Sequence, residues 1–249
     1  MRELHPATRG FTAADRYERG RPDYPAAALA TIVERLDIRP GRTVLDLAAG
    51  TGKLTRLLVP AGAALVAVEP VHEMRVELER RVPGVAVRAG TAERIPLADA
   101  SVDAVTVAQA FHWFDEEPAL REIHRVLRPG GGVALVWNAR DERSALQRTL
   151  SDVIEPLEGE TPRRTKRDWK TMLAESGLFE RTERRLFEHV QETDEQGVVD
   201  RVTSISFIAA APEPVRAKVE ARVRALVAEL EPPIRLPYMT ELYLGFKRR

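Results

Sequence analysis

The 249-residue chain contains no cysteine, which excludes disulfides, thiolate zinc sites and cysteine nucleophiles and suits a cytosolic setting. It has no excess charge of either sign, since 38 lysine and arginine residues balance 38 aspartate and glutamate residues. A neutral chain has no general field to draw in a phosphate backbone or an anionic lipid surface, so neither nucleic acid nor membrane is expected as a partner. Long apolar runs are missing too. The opening residues, MRELHPATRG, lack the apolar stretch of a signal peptide, and nothing later reaches membrane-spanning length. The histidines show no ligand spacing such as HExxH, so no metal is expected. There is no internal repeat and no low-complexity linker.

What is present suits one large α/β domain or two small ones, either of which could bury a substantial core. Through the first 140 residues helical and strand patterns alternate, the signature of a parallel doubly wound sheet. The periodicity predicts a helix over 26–36, strands at 43–47, 64–69, 84–88, 103–108 and 132–138, and intervening helices over 52–59, 71–81 and 117–127. Pro129-Gly130-Gly131-Gly132 reads as a helix stop and turn. Beyond Asn138 the pattern changes to a charged stretch with one helix over 139–167, a helix over 169–179 ending at Gly177, and a strand over 180–190. A polar helix near 194–204, an amphipathic helix over 212–230 and a last strand near 238–247 complete it.

The segment VLDLAAGTGKLT, from Val44 to Thr55, carries the most chemistry. Its apolar half suits a strand buried on both faces. Its second half, Ala48 to Gly52, has almost no side chains, so a ligand can lie on the backbone where a helix begins. Asp46 ends the strand and Glu69 closes the next one, AALVAVEP. Two acids facing one crevice favour a ligand with a cationic or hydroxyl-rich end. A dinucleotide fingerprint fails because Thr55 stands where a third small residue is needed. A phosphate-binding P-loop fails because Leu54 follows Lys53, and Leu47 occupies the leading glycine position.

This segment resembles the first motif of the class I S-adenosylmethionine-dependent methyltransferases. The likeness continues in order through Glu69, GTAERIPLADASVDAV (90–105), VTVAQAFHWF (105–114) and LRPGGGVALVWN (127–138). Upstream, YERGRPDYP (17–25) resembles an element of a bacterial and fungal small-molecule subgroup of methyltransferase type 11 that includes trans-aconitate methyltransferase-like proteins. The resemblance implies a Rossmann-like α/β fold: a doubly wound seven-stranded sheet in the order 3-2-1-4-5-7-6 with strand 7 antiparallel. It implies a single domain over 1–249, with a cofactor-binding core at 26–138 and substrate-side additions at 139–167 and 191–233. The cofactor implied is S-adenosyl-L-methionine, and the substrate a small molecule. The Asp/Asn-Pro-Pro-Tyr box of amino methyltransferases is absent at 108–114.

For the cofactor the resemblance points to Tyr17, Arg21, Asp46, Ala48, Gly50, Thr51, Gly52, Glu69, Pro70, Thr91, Ala92, Glu93 and Gln109. Glu69 would accept hydrogen bonds from both ribose hydroxyls, and Asp46 would orient the methionyl ammonium or shape the loop. Many relatives have glycine at Ala48 and aspartate at Thr91, which leaves Ala92 and Glu93 to recognise adenine. His112, Trp113 and Tyr17 are the catalytic candidates. Aromatic faces at Trp113, Tyr17 and Phe111 could stabilise a sulfonium, although Phe111 and Phe114 also read as core. His112 is either a general base or a ligand of a backbone carbonyl. Arg21 could take a carboxylate bidentately. A non-catalytic S-adenosylmethionine-binding module stays open as an alternative, and so does a nicotinamide-dependent oxidoreductase.

Overall fold

Thr43–Leu47 forms β1, a short apolar run whose β-branched start suits a pleated, two-sided environment. In the computed structural model, which describes residues 18–159, 161 and 168–248, β1 pairs in parallel on both sides. Leu45 lies opposite Val66 of β2 (Ala64–Val68) and opposite Val105 of β4 (Val102–Ala108). β3 (Ala86–Arg88) extends the sheet beyond β2, and β5 (Leu127–Arg140) lies parallel beyond β4. With β6 (Glu180–Thr193) and β7 (Ile234–Phe246) the order is 3-2-1-4-5-7-6, and β7 is antiparallel. Its direction shows in the backbone. Gly130 N–H donates to the Arg248 carbonyl, while Lys247 N–H donates to that of Gly131.

Helices α1 (Ala26–Arg35), α2 (Lys53–Leu58), α3 (His72–Arg81) and α4 (Glu116–Val126) connect these strands. In α4 two glutamates occupy the first turn and Arg125 the last, each sign facing the helix end that favours it. Ala119, Leu120, Ile123 and Val126 form its buried stripe.

The chain divides into two compact units. Of the described residues, the larger holds 24–138, 168–187 and 240–248. Here the sheet is apolar on both faces: Leu45, Val105, Leu135 and Trp137 join one cluster, while Val44, Ala104, Ala134 and Val136 join another with Ile32, Leu54 and Leu58. Short helix α6 (Trp169–Glu175) adds Trp169 and Leu173 to the first cluster.

Of the described residues, the smaller unit holds 18–23, 139–159, 161 and 188–239. It contains α5 (Ala145–Ile154), α7 (Glu195–Thr203), α8 (Ser206–Ala209) and α9 (Glu213–Val227). Asp194 caps α7 by accepting from Gly197 N–H at 2.8 Å. Val219, Val223 and Val227, four residues apart on α9, share a core with Leu150, Val198, Val202 and Tyr238. The described residues of 139–167 and 191–233 all fall within this unit.

One expectation is corrected. Pro129 to Gly132 is no helix stop followed by a turn, because β5 begins at Leu127 and runs through it. Leu127 pairs with Val102 and Gly132 with Ala104, so the run is an irregularity inside the strand. Its glycines are required by close approach. A Cβ on Gly131 would stand 2.6 Å from the Asp103 carbonyl oxygen, and one on Gly132 would meet Leu36 at 2.7 Å and Phe246 at 2.9 Å. Among the described residues no helix is long and apolar enough to cross a membrane.

Candidate functional site

Strand order reverses direction between β1 and β4, and in open α/β sheets ligands bind outside the carboxyl ends of the strands at that switch. Asp46 lies next to the end of β1, with 1% of its surface exposed. Register places it opposite Thr106 of β4, whose hydroxyl donates to Oδ1 at 2.8 Å, while the Thr55 hydroxyl donates to Oδ2 at 2.6 Å. Burial pushes its carboxyl up to about 6, against these hydroxyl bonds and a backbone bond from Thr55. Asp46 thus ties the first turn of α2 to the centre of the sheet.

The loop after β1 alternates left-handed residues: Ala48 at φ 54°, Gly50 at 58° and Gly52 at 82°. The two glycines do different work. A Cβ on Gly50 would meet nothing within 4 Å, so bare backbone faces open space. A Cβ on Gly52 would stand 2.9 Å from both Leu78 Cγ and Val82 Cγ2, so that glycine lets the start of α2 lie against α3 and the residue after it. Thr51, between them, is buried.

Glu69 is buried just after β2 and bridges two backbones. Its Oε2 accepts from Gly50 N–H and its Oε1 from Val71 N–H, both at 2.9 Å. Burial raises its carboxyl above the usual range, the two amides oppose this, and the negative charge of Asp46 adds to the rise. Arg75 donates to the carbonyls of Glu69 and Pro70, each at 2.8 Å, and so fixes the turn that carries the acid.

After β3, Thr91 forms an isolated bridge with Arg94. The Ala92 side chain lies in the core, which leaves its backbone as the polar part. Glu93 accepts from Asp115 N–H at 2.9 Å and so ties this loop to the start of α4. After β4, Gln109 takes a left-handed φ of 57° and donates its N–H to Val136 O at 2.8 Å.

A 3-10 turn, Phe111–Trp113, follows. Phe111 is core, with ring centroids 5.1 Å from Phe114 and 5.6 Å from Trp169. His112 and Trp113 are half-buried, with rings 5.2 Å apart. Trp137 donates its indole N–H to His112 Nδ1 at 3.4 Å and stacks on Trp169 at 5.0 Å. Sequence reasoning missed Thr55, Thr106 and Trp137. Thr55 stands nine residues after Asp46, a signal that the glycine motif could have supplied; the other two depend on register.

Arg21 belongs to the smaller unit, where its Nη2 donates to Ser204 O at 3.3 Å. Tyr17 lies outside the described residues. Among the described residues no group of histidine, cysteine, aspartate or glutamate side chains could hold a metal ion.

Residues 45–135 match the family model of a methyltransferase domain. The chain is 43% identical over 217 residues to an uncharacterized methyltransferase of Mycobacterium bovis, covering 87% of this chain and 84% of that protein. Among solved structures it is similar to the YcgJ protein of Bacillus subtilis, with a TM-score of 0.59, 20% identity, and coverage of 90% of this chain and 100% of that one. Another is phosphoethanolamine N-methyltransferase 2 of Haemonchus contortus in complex with S-adenosyl-L-methionine. There the TM-score is 0.57 and the identity 14%, covering 100% of this chain and 59% of that one.

Proposed function

The chain belongs to the S-adenosylmethionine-dependent methyltransferase family, and from that premise we propose that it methylates a small-molecule acceptor in the cytoplasm with S-adenosyl-L-methionine as donor. The observation that carries the reading is the joint placement of Glu69 and Gly50. Each oxygen of Glu69 takes one backbone N–H, and a carboxylate offers about four acceptor positions in all. Capacity is left on both oxygens for a vicinal diol, beside backbone that faces open space at Gly50. A ribose and the chain behind it fit such a cradle.

When bound, S-adenosyl-L-methionine supplies an electrophilic methyl group on a sulfonium. This chain's residues then have three tasks. Glu69 and the Gly50 backbone hold the nucleoside end. Asp46 carries a negative charge at neutral pH, above its value of about 6, and with Thr55 and Thr106 keeps the loop in shape for the ammonium end. The half-buried turn with His112 and Trp113 orients the acceptor and excludes water, so that catalysis comes chiefly from proximity and desolvation.

His112 has a defined part. With Nδ1 accepting from Trp137, the ring proton of the neutral imidazole sits on Nε2, which makes His112 a donor toward an acceptor molecule. Serving as a base at Nε2 would require the opposite tautomer and the loss of the Trp137 bond. An orienting donor suits an acceptor that arrives already ionised, such as a carboxylate.

The test is a panel of small acids, phenols and amines scored by release of S-adenosylhomocysteine. Turnover with one of these classes is expected. Activity confined to nucleic acid or protein would remove the small-molecule reading.

A further inference from the structure

Arg201, on α7 in the smaller unit, has 7% of its surface exposed. Its Nε donates to the Tyr238 hydroxyl at 3.0 Å, and its guanidinium carbon stands 5.8 Å from the centre of that ring. Its Nη1 is buried with no hydrogen-bond partner, and among the described residues Arg201 enters no ion pair. The adjacent carboxylate does not serve it. Asp200 is engaged by Arg19 Nε at 2.9 Å and Gln196 Nε2 at 3.0 Å.

Such a group is costly to bury. A lysine or histidine in this position could shed its proton, but a guanidinium keeps its charge throughout the accessible pH range. Buried charge persists in proteins where an opposite charge meets it. Elsewhere in this chain half-exposed arginines have such partners: Arg42 and Arg128 share Asp103, and Arg125 holds Glu122 and Asp99. Arg201 is more deeply buried than any of these and lacks one.

Ser204, one residue beyond α7, donates its hydroxyl to the Arg201 carbonyl and accepts Arg21 Nη2 on its own carbonyl. A second guanidinium is thereby fastened to the same turn. The Tyr238 oxygen already accepts from Arg201 Nε, so its own proton is left to donate. Guanidinium N–H groups beside a phenolic O–H suit a carboxylate, whose two oxygens can be engaged at once.

We propose that Arg201 and Tyr238 form the receiving end of a site within the smaller unit that takes a small organic carboxylate.

The test uses the full chain with no cofactor added. Citrate, succinate, benzoate and inorganic phosphate are titrated while thermal unfolding is followed, with succinamide and benzamide as uncharged controls. At least one carboxylate is expected to raise the Tm of the native protein by several degrees while its amide does not. Arg201→Met is expected to be at least as stable as the native chain without ligand, since it removes an unmet buried charge, and to weaken that carboxylate at least tenfold. Tyr238→Phe, expected to weaken it about threefold, carries the question if Arg201→Met does not fold.

No shift with any carboxylate, a shift that survives in both variants, or a response to phosphate alone overturns the site. S-adenosylhomocysteine binding, measured in parallel by calorimetry, separates the two readings. A carboxylate response without it overturns the proposed function and leaves the site standing, whereas the reverse result overturns only the site.

Discussion

Gly50 and Glu69, nineteen residues apart, meet through a 2.9 Å hydrogen bond from the glycine amide to the carboxylate. The bond joins the loop after β1 to the turn after β2, so one side chain sets the spacing between the two strand ends that form the cradle.

Replacing Glu69 with Ala should therefore do two things. S-adenosylhomocysteine binding is expected to weaken by roughly 1.5 to 3 kcal/mol, the range for hydrogen bonds to a charged group. Stability is expected to fall as well, because two partly buried amides lose their acceptor. Calorimetry and urea unfolding read the two effects separately, and unchanged affinity would show that the acid does not hold the ribose.

Asp46 predicts a pH signature. Its carboxyl stands at about 6, above the ordinary aspartate value near 4. Between those values the native state binds more protons than the unfolded chain, so stability from this group is full below pH 4 and falls as pH rises to 6. Asp46→Asn should recover up to about 2 to 3 kcal/mol at pH 7 and almost nothing at pH 4. Urea unfolding of both proteins at pH 4, 5.5 and 7 checks this. A difference that does not change with pH would rule out a titrating Asp46.

The two loop glycines should separate binding from stability. Gly52→Ala drives a methyl into Leu78 and Val82 and holds alanine at a left-handed φ, which should cost about 2 kcal/mol or more. Gly50→Ala meets no neighbour and should cost only about 1 to 2 kcal/mol for its left-handed backbone, yet weaken S-adenosylhomocysteine at least tenfold. Equal losses of affinity and stability in both variants would contradict the division of labour.

His112→Ala should leave cofactor affinity within about twofold, and lower turnover by roughly tenfold, about 1.4 kcal/mol in the barrier. Trp137→Phe keeps a ring against Trp169 but removes the indole donor, which frees His112 to change tautomer. The acid side of the kcat/KM profile should then differ from that of the native enzyme. Identical profiles would make the Trp137 contact merely structural.

Much of this was legible in the residues, and the rest was not for identifiable reasons. β1, β2 and β4 announce themselves as short apolar runs, because these signals lie within a dozen residues, and an acid at the end of β1 and another just after β2 single out the candidate site. The glycine run before β5 misleads because glycine signals both a break and a close approach. Only the arrival of Leu36, Asp103 and Phe246 from distant segments decides between them. Likewise Thr106 becomes a partner of Asp46 through cross-strand register, and Trp137 a partner of His112 across 25 residues. Local pattern carries neither fact. Arg201 lies in a stretch that reads simply as a polar helix, and its burial emerges only when that helix meets β7.

Because Gly52 rests against Leu78 and Val82, the loop inherits its shape from side chains on α3 and just past its end. Altered bulk at those two positions would shift the glycine backbone by fractions of an ångström. Affinity for the methyl donor could thus be tuned by laboratory selection, or by natural drift, at two buried positions behind the loop.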